Sequence, residues 1–316
     1  MRREEYWLIS TAHLEKQLLF KETEDFVVGM NYVAVQAYKC RVGVLSFVLM
    51  SNHLHLVANC GRDAAVAFAD GFKREYARYL NKKYGDVEAL RRNDVDIREA
   101  SVYDEGLERA IAYVQMNSVA ANICATPFDY PWGTGGSFFG TESVMAGSVT
   151  GRGDDLLDCE SVRGVPPMIP GGRRLGEMSA RERYRVLHSK ADVPPEWIVC
   201  ERGYIIPSSY VKVNLVERVF RTPGRFNYFL RTSSKAKLKL EMGDDCLPSF
   251  SDQVILAAVP ELCRSLFKRG GVEGLNEDQM VELLRQLKYR FSSNAKQLAR
   301  VTKISYKAAE ALLDRV

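Results

Sequence analysis

The chain predicts an α+β fold in which a small antiparallel sheet carries helices on one face and a mainly helical region follows. Three observations support this. Apolar blocks of strand length occur at 5–12, 42–50, 53–59 and 95–102, and apolar residues recur at helical spacing between and after them. Beyond Trp132 the composition turns to glycine and proline before a long helical stretch.

Residues 5–12 (Glu-Tyr-Trp-Leu-Ile-Ser-Thr-Ala) read as a first strand. Thr23 is placed to cap a helix, with Glu24 and Asp25 in the first turn, where the helix dipole favours acids. The stripe of that helix is Phe26, Met30, Val33, Ala34 and Ala37. A β-rich run follows from Val42 to Met50. Ser51 and Asn52 are turn formers, and His53 to Asn59 reads as the returning strand of an antiparallel hairpin. Residues 62–84 make a long helix with Phe68, Phe72, Tyr76 and Leu80 along one face. A fourth strand falls at Val95 to Val102, and Asp104 caps a helix striped by Leu107, Ile111 and Val114. The order strand–helix–strand–strand–helix–strand–helix defines a first domain over 1–137.

Gly133-Thr134-Gly135-Gly136-Ser137 opens a glycine-rich stretch, and 164–172 adds three prolines, so 138–175 reads as a linker or irregular segment. Residues 176–316 read as mainly helical.

Composition bounds the function. A chain of 316 residues, 46% hydrophobic and 27% charged, is globular rather than disordered or fibrous. A net charge of +4 permits a nucleic-acid partner, and the placement of the charges matters more than their sum. The seven cysteines (40, 60, 124, 159, 200, 246 and 263) form no Cys-x-x-Cys pair, so no structural zinc is signalled and reduced thiols are expected. No apolar run follows the N-terminal Met-Arg-Arg-Glu-Glu, and no stretch reaches the roughly 18 apolar residues of a membrane span. A soluble cytoplasmic protein without a membrane partner is expected.

The chain has only four histidines, and two of them, His53 and His55, sit at i and i+2 on an expected strand. Strand side chains alternate, so both imidazoles point to one face and offer two nitrogens to one divalent ion. The same spacing also fits a hydrogen-bonded structural pair. The run Phe47-Val48-Leu49-Met50-Ser51-Asn52-His53-Leu54-His55 closely resembles the Met-Pro-Asn-His-x-His segment of REP-associated tyrosine transposases, relatives of the transposases of the smallest insertion sequences. Ala112-Tyr113-Val114-Gln115-Met116-Asn117-Ser118-Val119 resembles that family's Tyr-Ile-x-x-Asn-Pro-Val segment, and Asp129-Tyr130-Pro131-Trp132 its closing Tyr-Pro-Trp signature. The resemblance covers about the first 130 residues.

The resemblance implies a ferredoxin-like HUH domain, in which the His-hydrophobic-His element holds magnesium or manganese. His53 and His55 are then the metal ligands, Asn117 a third polar ligand one helical turn beyond the tyrosine, and Tyr113, one of fifteen tyrosines, the nucleophile. It implies nicking and strand transfer of single-stranded or hairpin DNA through a 5′-phosphotyrosine, and it admits a homodimer. Departures are Ser51 for the family's proline, Ser118, Ala120 and Asn122 after the asparagine, and the loss of the Gly-x-x-Phe-x-x-Arg-Tyr-Lys stretch before the tyrosine helix. These bear on substrate contacts more than on metal binding. A catalytically inactive DNA-binding regulator that keeps the fold is the alternative, and an unrelated α+β protein with a structural histidine pair a third.

Lys73, Arg74, Arg78 and Lys82 on the long helix are placed to track phosphates, or to form an ordinary solvated face. Near the C-terminus, Asn276 and Gln279 look like a helix cap before Met280, Leu283, Leu284 and Leu287. Two short helices follow, Ala295 to Arg300 and Tyr306 to Asp314, with Ser305 capping the second. The spacing over 276–316 resembles a helix-turn-helix in a strongly basic segment, with Lys296, Lys303, Tyr306 and Lys307 as DNA contacts. A second basic-aromatic run, Arg225 to Lys239, is a weaker candidate.

Overall fold

The computed structural model describes residues 5–11, 18–85, 95–139, 169–234 and 250–315. Its centre is a four-stranded antiparallel sheet of β1 (Tyr6–Thr11), β2 (Gly43–Met50), β3 (His53–Asn59) and β4 (Val95–Glu99), in the order β2-β3-β1-β4. β3 pairs with both β1 and β2, so β1 and β2 run parallel with β3 between them. α1 (Thr23–Lys39) and α2 (Arg62–Tyr84) make the crossovers. The α+β class and the hairpin over Ser51-Asn52 are as expected.

Packing assigns the faces. A Cβ on Gly29 of α1 would meet Leu49 at 3.0 Å, and one on Gly71 of α2 would meet Gln36 of α1. The two helices therefore share the Leu49 face of the sheet. The opposite face is covered as well, which corrects the expectation of helices on one face alone. Gln115, at the end of α3 (Gly106–Gln115), donates to Ser46 Oγ at 2.9 Å and Thr134 Oγ1 at 2.7 Å. This face carries buried polar groups (Ser46, His53 and His55), and a helix with its own polar partners closes it.

Two helix starts differ from expectation. The cap of α1 is Glu22, and Thr23 is its first helical residue. Asp25 Oδ2 reaches back to accept from Lys21 N at 2.8 Å and Glu22 N at 3.1 Å, so the N3 carboxylate satisfies the free N–H groups before the helix. α3 is capped by Glu105, not Asp104. Asp104 (φ 53) and Glu105 (φ 59) are both left-handed and turn the chain into the helix. A Cβ on Gly106 would sit 2.7 Å from Ser101 O, so glycine is required there. β4 ends at Glu99, and Val102 and Tyr103 beyond it are exposed.

The free edge of β2 is covered. Leu49 N donates to Trp132 O at 2.8 Å and Thr134 N to Phe47 O at 3.0 Å, while Trp132 stacks on Phe26 at 4.9 Å. The aromatic-proline element is thus an edge clasp.

Most of the linker over 138–175 lies outside the described residues. After it the chain returns to the sheet. β5 (Arg173–Arg174) and β6 (Ile198–Val199) form a small hairpin-like sheet, and α5 (Ala180–Leu187) lies between them. Leu175, Leu187, Trp197 and Ile205 pack on Ala34 and Val35 of α1. Buried Asn31 pins this layer, donating to Val186 O and Gly203 O and accepting from Ile205 N. α6 (Val213–Phe220) and α7 (Pro223–Thr232) add Val216, Phe220, Phe226 and Phe229 to the main core. Each fully buried phenylalanine contributes about 1.5–3 kcal/mol, so the first domain's core depends on residues well beyond 137.

The chain ends in four helices around their own core of Ile255, Leu262, Leu283, Leu287 and Leu298. They are α8 (Asp252–Phe267), α9 (Glu277–Phe291), α10 (Ala295–Thr302) and α11 (Tyr306–Leu313). Asn276 caps α9 with Gln279 at N3, and Ser305 caps α11, both as expected. Among the described residues no helix is long and apolar enough to cross a membrane.

Candidate active site

Register places the site. His55 pairs with Val48 of β2 on one side and Ser10 of β1 on the other, and Ser10 in turn pairs with Asp96 of β4. Directly opposed residues share a face, so His53, His55, Ser10, Asp96 and Arg98 all rise from the side that α3 covers. Tyr113 projects from α3 into the same space. The His53 and His55 rings lie 4.7 Å apart at 75°, and the His55 and Tyr113 rings 5.3 Å apart at 74°. Both histidines are buried, at 5% and 2% exposure, and Tyr113 is half-buried.

Each imidazole is oriented by a neutral partner. Ser10 Oγ lies 2.7 Å from His55 Nδ1, and Asn52 Oδ1 2.8 Å from His53 Nδ1. His53 therefore donates from Nδ1 to the amide oxygen, which makes Nε2 its basic nitrogen. Nδ1 is engaged on both rings, and both Nε2 atoms are buried. Two oriented imidazoles on the same face of β3 are a donor set that fits one divalent ion. Among the described residues no group of three or more histidines, cysteines or carboxylates could hold a metal.

Asn117 begins the short α4 (Asn117–Ala120) after a break at Met116. Its Nδ2 donates to Tyr113 O at 2.8 Å and Val114 O at 3.3 Å, capping carbonyls that the break would orphan. The amide thus ties the end of α3 to Tyr113's own backbone, and only Oδ1 remains to serve as a ligand.

Burial raises the Tyr113 pKa above that of an ordinary phenol, Arg98 pulls it down and Asp96 pushes it up. Arg98 and Asp96 are paired at 2.6 Å on the edge strand. α3 is buttressed from behind by α7, where Arg225 bonds Glu105 at 3.3 Å and Glu108 at 3.1 Å.

The expected DNA contacts fall elsewhere. Lys73, Arg74, Arg78 and Lys82 ride on α2, across the sheet from the histidines, and Arg74 and Arg78 pair with Glu75 at 3.6 and 3.0 Å. Lys296, Lys303, Tyr306 and Lys307 gather on α10, α11 and the turn between them, with Lys296 over the Tyr306 ring at 6.0 Å. Lys303 holds the left-handed residue of that turn (φ 60). Of the Arg225–Lys239 run, the residues from 235 lie outside the described ones. Sequence reasoning missed Ser10, Asn52 as a ring partner, and Arg98. Only strand register reveals Ser10 and Arg98, whereas Asn52 adjoins the histidine pair and carried a local signal.

No family model matches the chain, and no curated protein or solved structure matches it.

Proposed function

We propose that this chain is a metal-dependent single-strand DNA nickase and strand transferase of the single-tyrosine HUH type. One observation carries the proposal: two imidazoles from β3 and a phenol from α3 converge on one side of the sheet, with ring separations of 4.7 and 5.3 Å. The strand order β2-β3-β1-β4 with two helical crossovers is the split βαβ arrangement of a ferredoxin-like domain, and it supports the same reading.

In the proposed step Tyr113 Oη attacks the phosphorus in line. A P–Oη bond forms, the P–O3′ bond breaks, the phenol loses its proton and the leaving 3′ oxygen gains one. The bond energy is kept in the 5′-phosphotyrosine, so a 3′-hydroxyl can reverse the step and join strands without ATP. His53 and His55 would hold the ion, and the resemblance makes Asn117 Oδ1 the third protein donor. A bound Mg²⁺ or Mn²⁺ supplies Lewis-acid polarisation of the scissile phosphate. Two nitrogen donors favour Mn²⁺ over Mg²⁺, which prefers an all-oxygen shell. Ser10 and Asn52 keep the rings oriented, and Arg98 on the edge strand β4 lowers the phenol's pKa electrostatically.

The test is incubation with single-stranded hairpin DNA and Mn²⁺, followed by denaturing electrophoresis. A protein–DNA adduct that survives denaturation and disappears in Tyr113→Phe is the expected result. Hairpin binding without an adduct from the wild type would replace the nickase with the DNA-binding regulator.

A further inference from the structure

A single buried node ties the C-terminal helices to the histidine turn. Ser51 Oγ donates to Asp252 Oδ2 at the start of α8. Arg300 of α10 grips the same carboxylate with Nε at 2.8 Å and Nη2 at 3.2 Å. Asp252 is 1% exposed, and Gln253 beside it donates to Phe20 O at 2.7 Å. The carbonyl of Ser51 accepts from Leu19 N and Phe20 N at 2.7 and 2.9 Å. The next residue, Asn52, orients His53. One ion pair and one hydrogen bond therefore separate the helix-turn-helix from the turn that carries the proposed metal ligands.

A cavity of about 170 Å³ lies beside the node, lined by Phe26, Tyr130, Trp132 and Val254 as well as by Ser51 and Asp252. The buried apolar side chains of the C-terminal helices form a cluster separate from that around the sheet. A buried ion pair adds little net stability compared with apolar side chains of the same size, but a bidentate guanidinium–carboxylate fork fixes orientation.

We infer that Ser51–Asp252–Arg300 is a positioning joint. It sets the distance between a DNA duplex held by α11 and the phosphodiester presented to Tyr113, so that the cut falls at a fixed offset from the recognised stem. The inference rests on the proposed nickase and on duplex reading by Lys303, Tyr306 and Lys307.

The test uses the full chain and an oligonucleotide with a hairpin stem and a single-stranded flank. Asp252→Asn with Arg300→Gln keeps hydrogen-bonding groups at the node and removes its charges. Hydroxyl-radical footprinting in a Tyr113→Phe background without metal reads where stem and flank are held. Sequencing of the released 3′ ends with Mn²⁺ reads the cut. Wild type should protect stem and flank in one register and give one 3′ end. The double variant should keep the stem footprint, lose the sharp flank register and spread the ends over several nucleotides. It should also cut a stemless strand at the wild-type rate. If the double variant does not fold, Ser51→Ala is read in the same two assays. An unchanged flank register and a single unchanged end would overturn the joint, as would absence of any stem footprint in the wild type. A wild type that binds in register but forms no adduct refutes the nickase alone, and the footprints still decide the joint.

Discussion

Two buried clusters of ionisable side chains lie on opposite faces of the same sheet, and they are satisfied in different ways. On the α1–α2 side, Asp25 is 0% exposed and accepts from Lys21 N, Glu22 N, Tyr79 Oη, Tyr84 Oη and Lys83 Nζ, all at 2.8–3.1 Å. Burial pushes the Lys83 pKa down, but hydrogen bonds to Glu22, Glu24, Tyr79 and Asp25 outweigh it and leave it raised. Opposite charges compensate each other within the protein, and the result clamps α2 onto the start of α1. On the other face His53 and His55 are held by the neutral groups of Asn52 and Ser10, beside a phenol that burial makes a weaker acid. Neutral partners fix orientation without supplying counter-charge. A cluster of tyrosines and carboxylates around one lysine is structural, whereas oriented imidazoles beside a phenol are suited to receive charge from outside.

The largest expected effect separates the two phenols. Tyr113→Phe should reduce covalent adduct formation by about a thousandfold or more, because the proposed nucleophilic oxygen is gone. Its melting temperature should stay close to wild type. Tyr79→Phe, in the structural cluster, should leave the adduct band intact. An adduct of normal intensity from Tyr113→Phe would end the assignment.

The reverse pattern is expected at Asp25. Asp25→Ala leaves Lys83 with the exposed carboxylates of Glu22 and Glu24 and the Tyr79 hydroxyl, and the N–H groups before α1 without an acceptor. Breaking such a pair costs about 3–5 kcal/mol, read as a lower urea midpoint. Adduct yield per folded molecule should not change. A loss of activity in molecules that remain folded would mean that the two faces are not independent.

The contrast also explains what the sequence made legible. Alternation and helical spacing locate the strands and helices of the first domain because each signal is local. His53 and His55 stand out because their faces follow from spacing two on a strand. Ser10 stays hidden in Trp-Leu-Ile-Ser-Thr until register sets it against His55. Asp25 reads as a first-turn acid, and nothing local shows that Tyr79, Lys83 and Tyr84 converge on it from 54 to 59 residues away. The return of Phe220, Phe226 and Phe229 to the first domain's core is likewise non-local, and the intervening linker conceals it.

A smaller effect tests the orienting role of Ser10. Ser10→Ala removes the partner of His55 Nδ1, and loss of such an outer hydrogen bond weakens metal binding by about 10–100-fold. Mn²⁺ titration followed by electron paramagnetic resonance reads this directly. Ser10→Thr keeps a hydroxyl and should restore most of the affinity. Equal affinity in Ser10→Ala and wild type would show that the His55 ring is held without it.

The smallest effect concerns the acidity of Tyr113. Its pKa is raised by burial, with Arg98 lowering it and Asp96 raising it. The phenol is therefore protonated at neutral pH, and the phenolate fraction grows about tenfold per pH unit until the pKa is reached. Single-turnover adduct formation should climb across pH 7 to 9 without a plateau. Arg98→Gln removes the lowering influence and should slow the reaction a few-fold at fixed pH, while Asp96→Asn should speed it by a similar factor. The pair is 74% and 50% exposed, so solvent and salt screen both effects, and raising the ionic strength should shrink them together. A profile already flat at pH 7 would mean that the phenol ionises far below the range its burial dictates, with the bound ion rather than Arg98 setting its acidity.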